Sequence, residues 1–186
     1  MNRRDFVACA VGAIPWLAAA REAEVGQPGL AIVVRAGTAL ADDVLKLGDR
    51  SRMHFKVRGG ETQGGALILE HRELRRFGPP RHLHFAQDEW FYPLAGTFLF
   101  EVGEERFELH PGDFLFAPRG VPHVWMHVEE EQGRVMVGFH PAGAMEDFFR
   151  KFTAGGALPT PEALPELFAA HGMKIVGPPL TASAAR

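Results

Sequence analysis

The chain is 186 residues long, with 46% hydrophobic and 23% charged residues, enough apolar material for one packed core. Its formal net charge is -3 and its longest acidic run is Glu129 to Glu131, which excludes the basic footprint of a nucleic-acid binder and the cationic face of a membrane-surface protein. The lone cysteine, Cys9, excludes a disulfide framework and a thiolate metal cluster.

The first twenty residues stand apart. Arg3 and Arg4, an apolar stretch through Trp16 and Leu17, and Ala18 to Ala20 form a basic start, a hydrophobic middle and a small-residue cleavage site. The paired arginines followed by Phe6 resemble the twin-arginine export signal of bacteria, so the expected location is periplasmic or exported. A short buried helix is the competing reading; the run is too short for a permanent membrane anchor. Removing residues 1–20 takes away Arg3, Arg4 and Asp5, a net of +1, so the mature charge is -3 - 1 = -4. Residues 21–29 read as a linker, and 30–186 as a single domain.

From Leu30 the pattern changes to short apolar runs cut by Gly, Pro and Asp. These predict strands at 30–36, 52–58, 65–74, 81–85, 89–94, 97–102, 105–110, 113–118, 123–128 and 134–140. So many short strands without intervening helices predict a closed all-β barrel or sandwich. Two helices follow, at about 144–153 and 161–171. In the first, Met145, Phe148, Phe149 and Phe152 recur at helical spacing, with Glu146 and Asp147 early and Arg150 and Lys151 late. They are expected to pack on the barrel or cover one mouth.

One stretch carries chemistry. Successive strand residues alternate faces, so His82 and His84 point the same way, and Glu89 opens the next strand close enough to return a carboxylate to the same interior. Further on, Gly112, Pro118 and Gly120 mark turns before His123, which shares a face with Trp125 and His127. His82, His84, Glu89 and Gly96 match the motif HxH, four residues, E, six residues, G. Gly112, Pro118, Gly120 and His123 match G, five residues, PxG, two residues, H. In these eight positions the chain resembles the cupin superfamily, and its flanks resemble bacterial single-domain cupins similar to quercetin dioxygenases.

That resemblance implies an antiparallel double-stranded β-helix, or jelly roll, with one divalent ion held by His82, His84, Glu89 and His123. The family's second motif usually ends in Asn where this chain has His127, a candidate hydrogen-bond partner of a ligand, proton shuttle or space-filling ring. Three imidazoles and a carboxylate suit Mn, Fe, Co, Ni, Cu or Zn. A metal-free cupin is the competing reading, disfavoured by the cost of burying a carboxylate without a cation.

The functional expectation is a dioxygenase-like enzyme acting on an enolic or phenolic small molecule, with Glu89 as proton acceptor. A non-oxidative isomerase, decarboxylase or lyase and a non-catalytic binding module stay open. The expected partner is a small-molecule substrate, with no nucleic acid and no permanent membrane anchor; a homodimer is compatible with the family. The remaining histidines, His54, His71, His110, His140 and His171, read as surface or satisfied polar residues, and Arg81 and Arg119 as exposed. Half of the aromatics around the motifs are expected to face inward.

Overall fold

The computed structural model describes residues 31–156 and 158–181; the expected signal segment at 1–20 and the linker at 21–29 lie outside them. Eleven strands run as β1 (Val44–Leu47), β2 (Ser51–Val57), β3 (Leu67–Leu74), β4 (Pro80–His84), β5 (Asp88–Ala95), β6 (Phe98–Val102), β7 (Glu105–Leu109), β8 (Leu115–Ala117), β9 (His123–His127), β10 (Gly133–His140) and β11 (Met173–Pro179). Helices α1 (Met145–Thr153) and α2 (Leu164–Ala170) separate β10 from β11. The strands form two antiparallel sheets, one ordered β1-β2-β3-β10-β5-β8 and the other β11-β4-β9-β6-β7. This is the expected double-stranded β-helix, with the two C-terminal helices in place.

The apolar faces of both sheets meet in one core. Leu67, Leu69 and Leu74 of β3, Phe91 of β5, Phe98 and Phe100 of β6, and Val135, Val137 and Phe139 of β10 are all buried in it. Of the aromatics near the motifs, Phe91, Phe98, Phe100 and Trp125 turn inward while Phe85, Phe114 and Phe116 are exposed, the division that strand alternation dictates. Helix α1 lays Met145, Phe148, Phe149 and Phe152 against the core, and α2 adds Phe168. Burying four such side chains from one helix face stabilises by several kcal/mol, at ~1.5–3 kcal/mol each.

Two expectations are corrected. Residues 31–36 form no strand; Ile32, Val34, Arg35 and Ala36 instead line a groove with Val57, Ile68 and Met136 of the six-stranded sheet. Apolar composition alone does not supply a hydrogen-bonding neighbour. The strands β1 and β11 were not expected. The first is only four residues long, and the second ends in Gly177, Pro178 and Pro179, which read as loop; prolines are tolerated because β11 is an edge strand with one neighbour, β4.

Candidate metal centre

His82 and His84 face inward from β4, and His82 pairs in register with His123 of the adjacent β9. Glu89 comes from β5 in the opposite sheet, on the same face as the buried Phe91. The four residues therefore meet between the two sheets, and all four are buried. The second motif is pinned to the first by its backbone. Gly120 N–H donates to the His84 carbonyl at 2.8 Å, and Arg119 N–H donates to Asp88 Oδ1 at 2.9 Å. The Arg119 guanidinium also grips Asp88 at 2.6 Å, and Arg81 pairs with Glu101 at 3.1 Å, so both arginines are engaged by carboxylates of this chain.

One ligand atom from each of the four lies within 4.8 Å of the others. Two donors on opposite sides of one ion sit roughly 4.3 Å apart at ordinary bond lengths, so this spacing is nearly that of a coordination sphere. Hydrogen-bond bookkeeping gives the same answer. Carbonyl oxygens only accept, so His82 Nδ1 donates to Pro80 O at 2.8 Å and His123 Nδ1 donates to Val121 O at 3.2 Å. In the neutral rings each Nε2 then carries a lone pair. His123 Nε2 stands 2.8 Å from Glu89 Oε2, and His84 Nε2 stands 3.1 Å from the same oxygen, with neither His84 ring nitrogen hydrogen-bonded. The His123 contact is then acceptor to acceptor, whereas His84, whose tautomer no hydrogen bond fixes, can present either a proton or a lone pair to Glu89; a cation between the three groups satisfies all of them. The donor set fits a divalent transition ion, and the backbone carbonyls orient its imidazoles as outer partners do.

Electrostatics keep the set ready for metal. Burial, followed by the neighbouring His123, pushes His82 down to about 3, so its ring is neutral at ordinary pH. Burial works against ionisation of Glu89, but the imidazoles of His123 and His84 beside its carboxylate outweigh it and hold the carboxyl below the usual range.

His127 occupies the far end of β9, fully buried, with its ring 5.2 Å from that of Phe98 and neither nitrogen partnered. It makes no hydrogen bond to the four-residue set. Gly96, at φ +82°, turns β5 into β6 there, and a Cβ on it would sit 2.5 Å from His127 Nε2. Of the other histidines, His110 pairs with exposed Glu108, while buried His171 bridges Leu167 O at 2.7 Å and Asp147 at 3.0 Å.

A cavity of about 60 Å³ adjoins the set, walled by Phe139, Phe148, Phe149, Phe152 and Phe168 and reached by His82, His84 and Glu89. Sequence reasoning missed one polar group in it, His71, which is buried and lines the cavity. The signal was present, because His71 continues the inward period of Leu67 and Leu69.

Residues 74–139, which include all four candidate ligands, match the family described as Cupin domain. No curated protein matches the chain significantly. Among solved structures, a predicted oxalate decarboxylase from Thermotoga maritima aligns at 15% identity and TM-score 0.52, covering 59% of this chain and 99% of its own. An RmlC-like cupin from Shewanella frigidimarina aligns at 18% identity and TM-score 0.48, covering 61% and 96%. The polyketide cyclase RemF from Streptomyces resistomycificus aligns at 18% and 0.48, covering 60% and 79%. At 15% identity, what the chain shares with the Thermotoga protein is the fold. Residues 74–139 are thus similar to a Cupin domain, and the two antiparallel sheets have the double-stranded β-helix arrangement.

Proposed function

We propose that the chain is a metal-dependent, dioxygenase-like cupin acting on a small enolic or phenolic molecule, with His82, His84, Glu89 and His123 holding one divalent transition ion. The observation that carries this reading is the convergence of two imidazole nitrogens on Glu89 Oε2, at 2.8 and 3.1 Å, inside a buried pocket. When bound, a redox-active ion supplies Lewis acidity toward an enol or phenol oxygen and a partner for dioxygen.

The chain's own residues do the rest. The aromatic walls exclude water from the reacting oxygen and strengthen every charge interaction there. Glu89, held ionised among imidazoles, accepts the substrate hydroxyl proton at a carboxylate oxygen, while His82 and His123 are kept in one tautomer by Pro80 O and Val121 O. The cavity also sets size. A buried water needs roughly 10–15 Å³, so about 60 Å³ admits a molecule of roughly four to six heavy atoms. A flavonol is several times larger than this volume.

Among the described residues no helix is long and apolar enough to cross a membrane. The Arg3-Arg4 start supports export, which replacement of both by lysine tests through retention of the protein inside the cell. For the activity, the purified protein is assayed for metal content and for oxygen uptake with small enolic compounds. Uptake that ceases on chelation supports the reading. Turnover that persists anaerobically and with zinc assigns Lewis-acid chemistry instead, and ligand-dependent melting without product assigns a binding module.

A further inference from the structure

The cavity beside the four-residue set has a second polar pole. His71 enters it from β3, only 5% exposed, opposite Met53 of β2 and Val135 of β10 in the strand register. Its Nδ1 lies 3.0 Å from the hydroxyl of Ser51, itself 2% exposed, and its Nε2 has no hydrogen-bond partner among the described residues. Trp125 and Phe149 meet the imidazole edge-on, with ring centroids 5.6 and 6.4 Å away, and hold its plane. A chain of rings spans the interval to the ligand set: Phe149 to Phe139 at 5.7 Å, then Phe139 to His84 at 5.6 Å.

Polar atoms of a buried residue are normally paired in native proteins, and His71 Nε2, which has no partner within the described residues, is free to take one from a ligand. His71 lines the cavity that also reaches His82, His84 and Glu89. The geometry points to His71 Nε2 as the second anchor of the substrate, gripping a hydroxyl at the end remote from the oxygen that faces the ion. This rests on the metal-dependent reading above and narrows it to short enolic molecules bearing a distal hydroxyl. The hydroxyl follows from the Ser51 contact. If Ser51 donates to Nδ1, Nε2 is a donor; if Ser51 accepts, Nε2 is an acceptor, and a hydroxyl satisfies either tautomer.

The test compares two chelators that differ by one distal hydroxyl, acetohydroxamate and glycolohydroxamate, titrated calorimetrically into the Co(II)-loaded protein. One net hydrogen bond predicts glycolohydroxamate about 5- to 10-fold tighter in the wild type. In His71→Phe that ratio collapses to within about twofold. Should His71→Phe lose the visible cobalt spectrum, Ser51→Ala carries the test, since it leaves the ring present but free to turn; a reduced ratio supports the anchor and an unchanged one overturns it. Equal affinities in the wild type, or a preference that survives in His71→Phe, overturn the anchor while leaving the metal site standing. If neither hydroxamate binds the loaded protein, or cobalt itself does not bind, the metal reading and the anchor fall together.

Discussion

His71 makes acid sensitivity a direct measure of how the barrel interior is built. Burial lowers the ring from an ordinary value of 6.5 to about 4, with Glu89 pulling weakly the other way. The unfolded chain therefore takes up a proton near pH 6.5 that the folded chain refuses until about pH 4. The sign follows: this contribution to stability is fully present above pH 6.5 and is lost as pH falls toward 4. At about pH 5 the two populations differ by roughly 1.5 logarithmic units, or about 2 kcal/mol at 1.36 kcal/mol per unit. Urea unfolding of wild type and His71→Phe, both with EDTA so that metal release adds nothing, gives the comparison at about pH 7.5 and 5. His82 and the carboxylates contribute alike to both proteins, so the difference isolates His71. The wild type is expected to lose about 2 kcal/mol more than the variant over this interval. Parallel losses would refute the claim that His71 is a buried, neutral imidazole.

Other substitutions probe the remaining assignments. Glu89→Gln keeps the shape but removes the charge on which His84 and His123 converge, and is expected to weaken metal binding by more than ~100-fold in a calorimetric titration; retained affinity would mean the carboxylate is not a ligand. His123→Ala should abolish the single bound ion found by elemental analysis, whereas His110→Ala, outside the site, should leave stoichiometry unchanged. Phe148→Ala removes a ring packed on Phe149, Phe152 and Phe168 at 5.3, 5.5 and 5.0 Å. It is expected to destabilise by ~3–5 kcal/mol and to widen access to the cavity, and a loss under about 1 kcal/mol would show that the ring is not part of the core. His127→Leu replaces a buried ring whose two nitrogens lack partners and is expected to be neutral or stabilising by about 1 kcal/mol, with metal content unchanged. Loss of metal in that variant would instead tie His127 to the site.

The barrel strands and the candidate ligands were legible because they rest on local rules. Alternation put His82 with His84 and Glu89 with Phe91, and helical spacing put Met145, Phe148, Phe149 and Phe152 on one face. Those rules need only neighbours along the chain. They fail where pairing decides. Residues 31–36 have strand composition but lie in a groove beside the six-stranded sheet, and β11 has loop composition but pairs with β4, because a strand exists only when another edge accepts its hydrogen bonds. His71 shows the same division within a single residue. Its inward direction is written in the period of Leu67, Leu69 and His71, yet the sequence says nothing of what lies opposite. Ser51, Trp125 and Phe149 come from three other elements, and only their packing shields the imidazole from water and ties up one of its nitrogens. Residue order thus determined the strand faces and the helices and marked the candidate donors, whereas the depth of the cavity, its volume and its second polar pole depend on distances between segments remote in sequence, which only the closed barrel establishes.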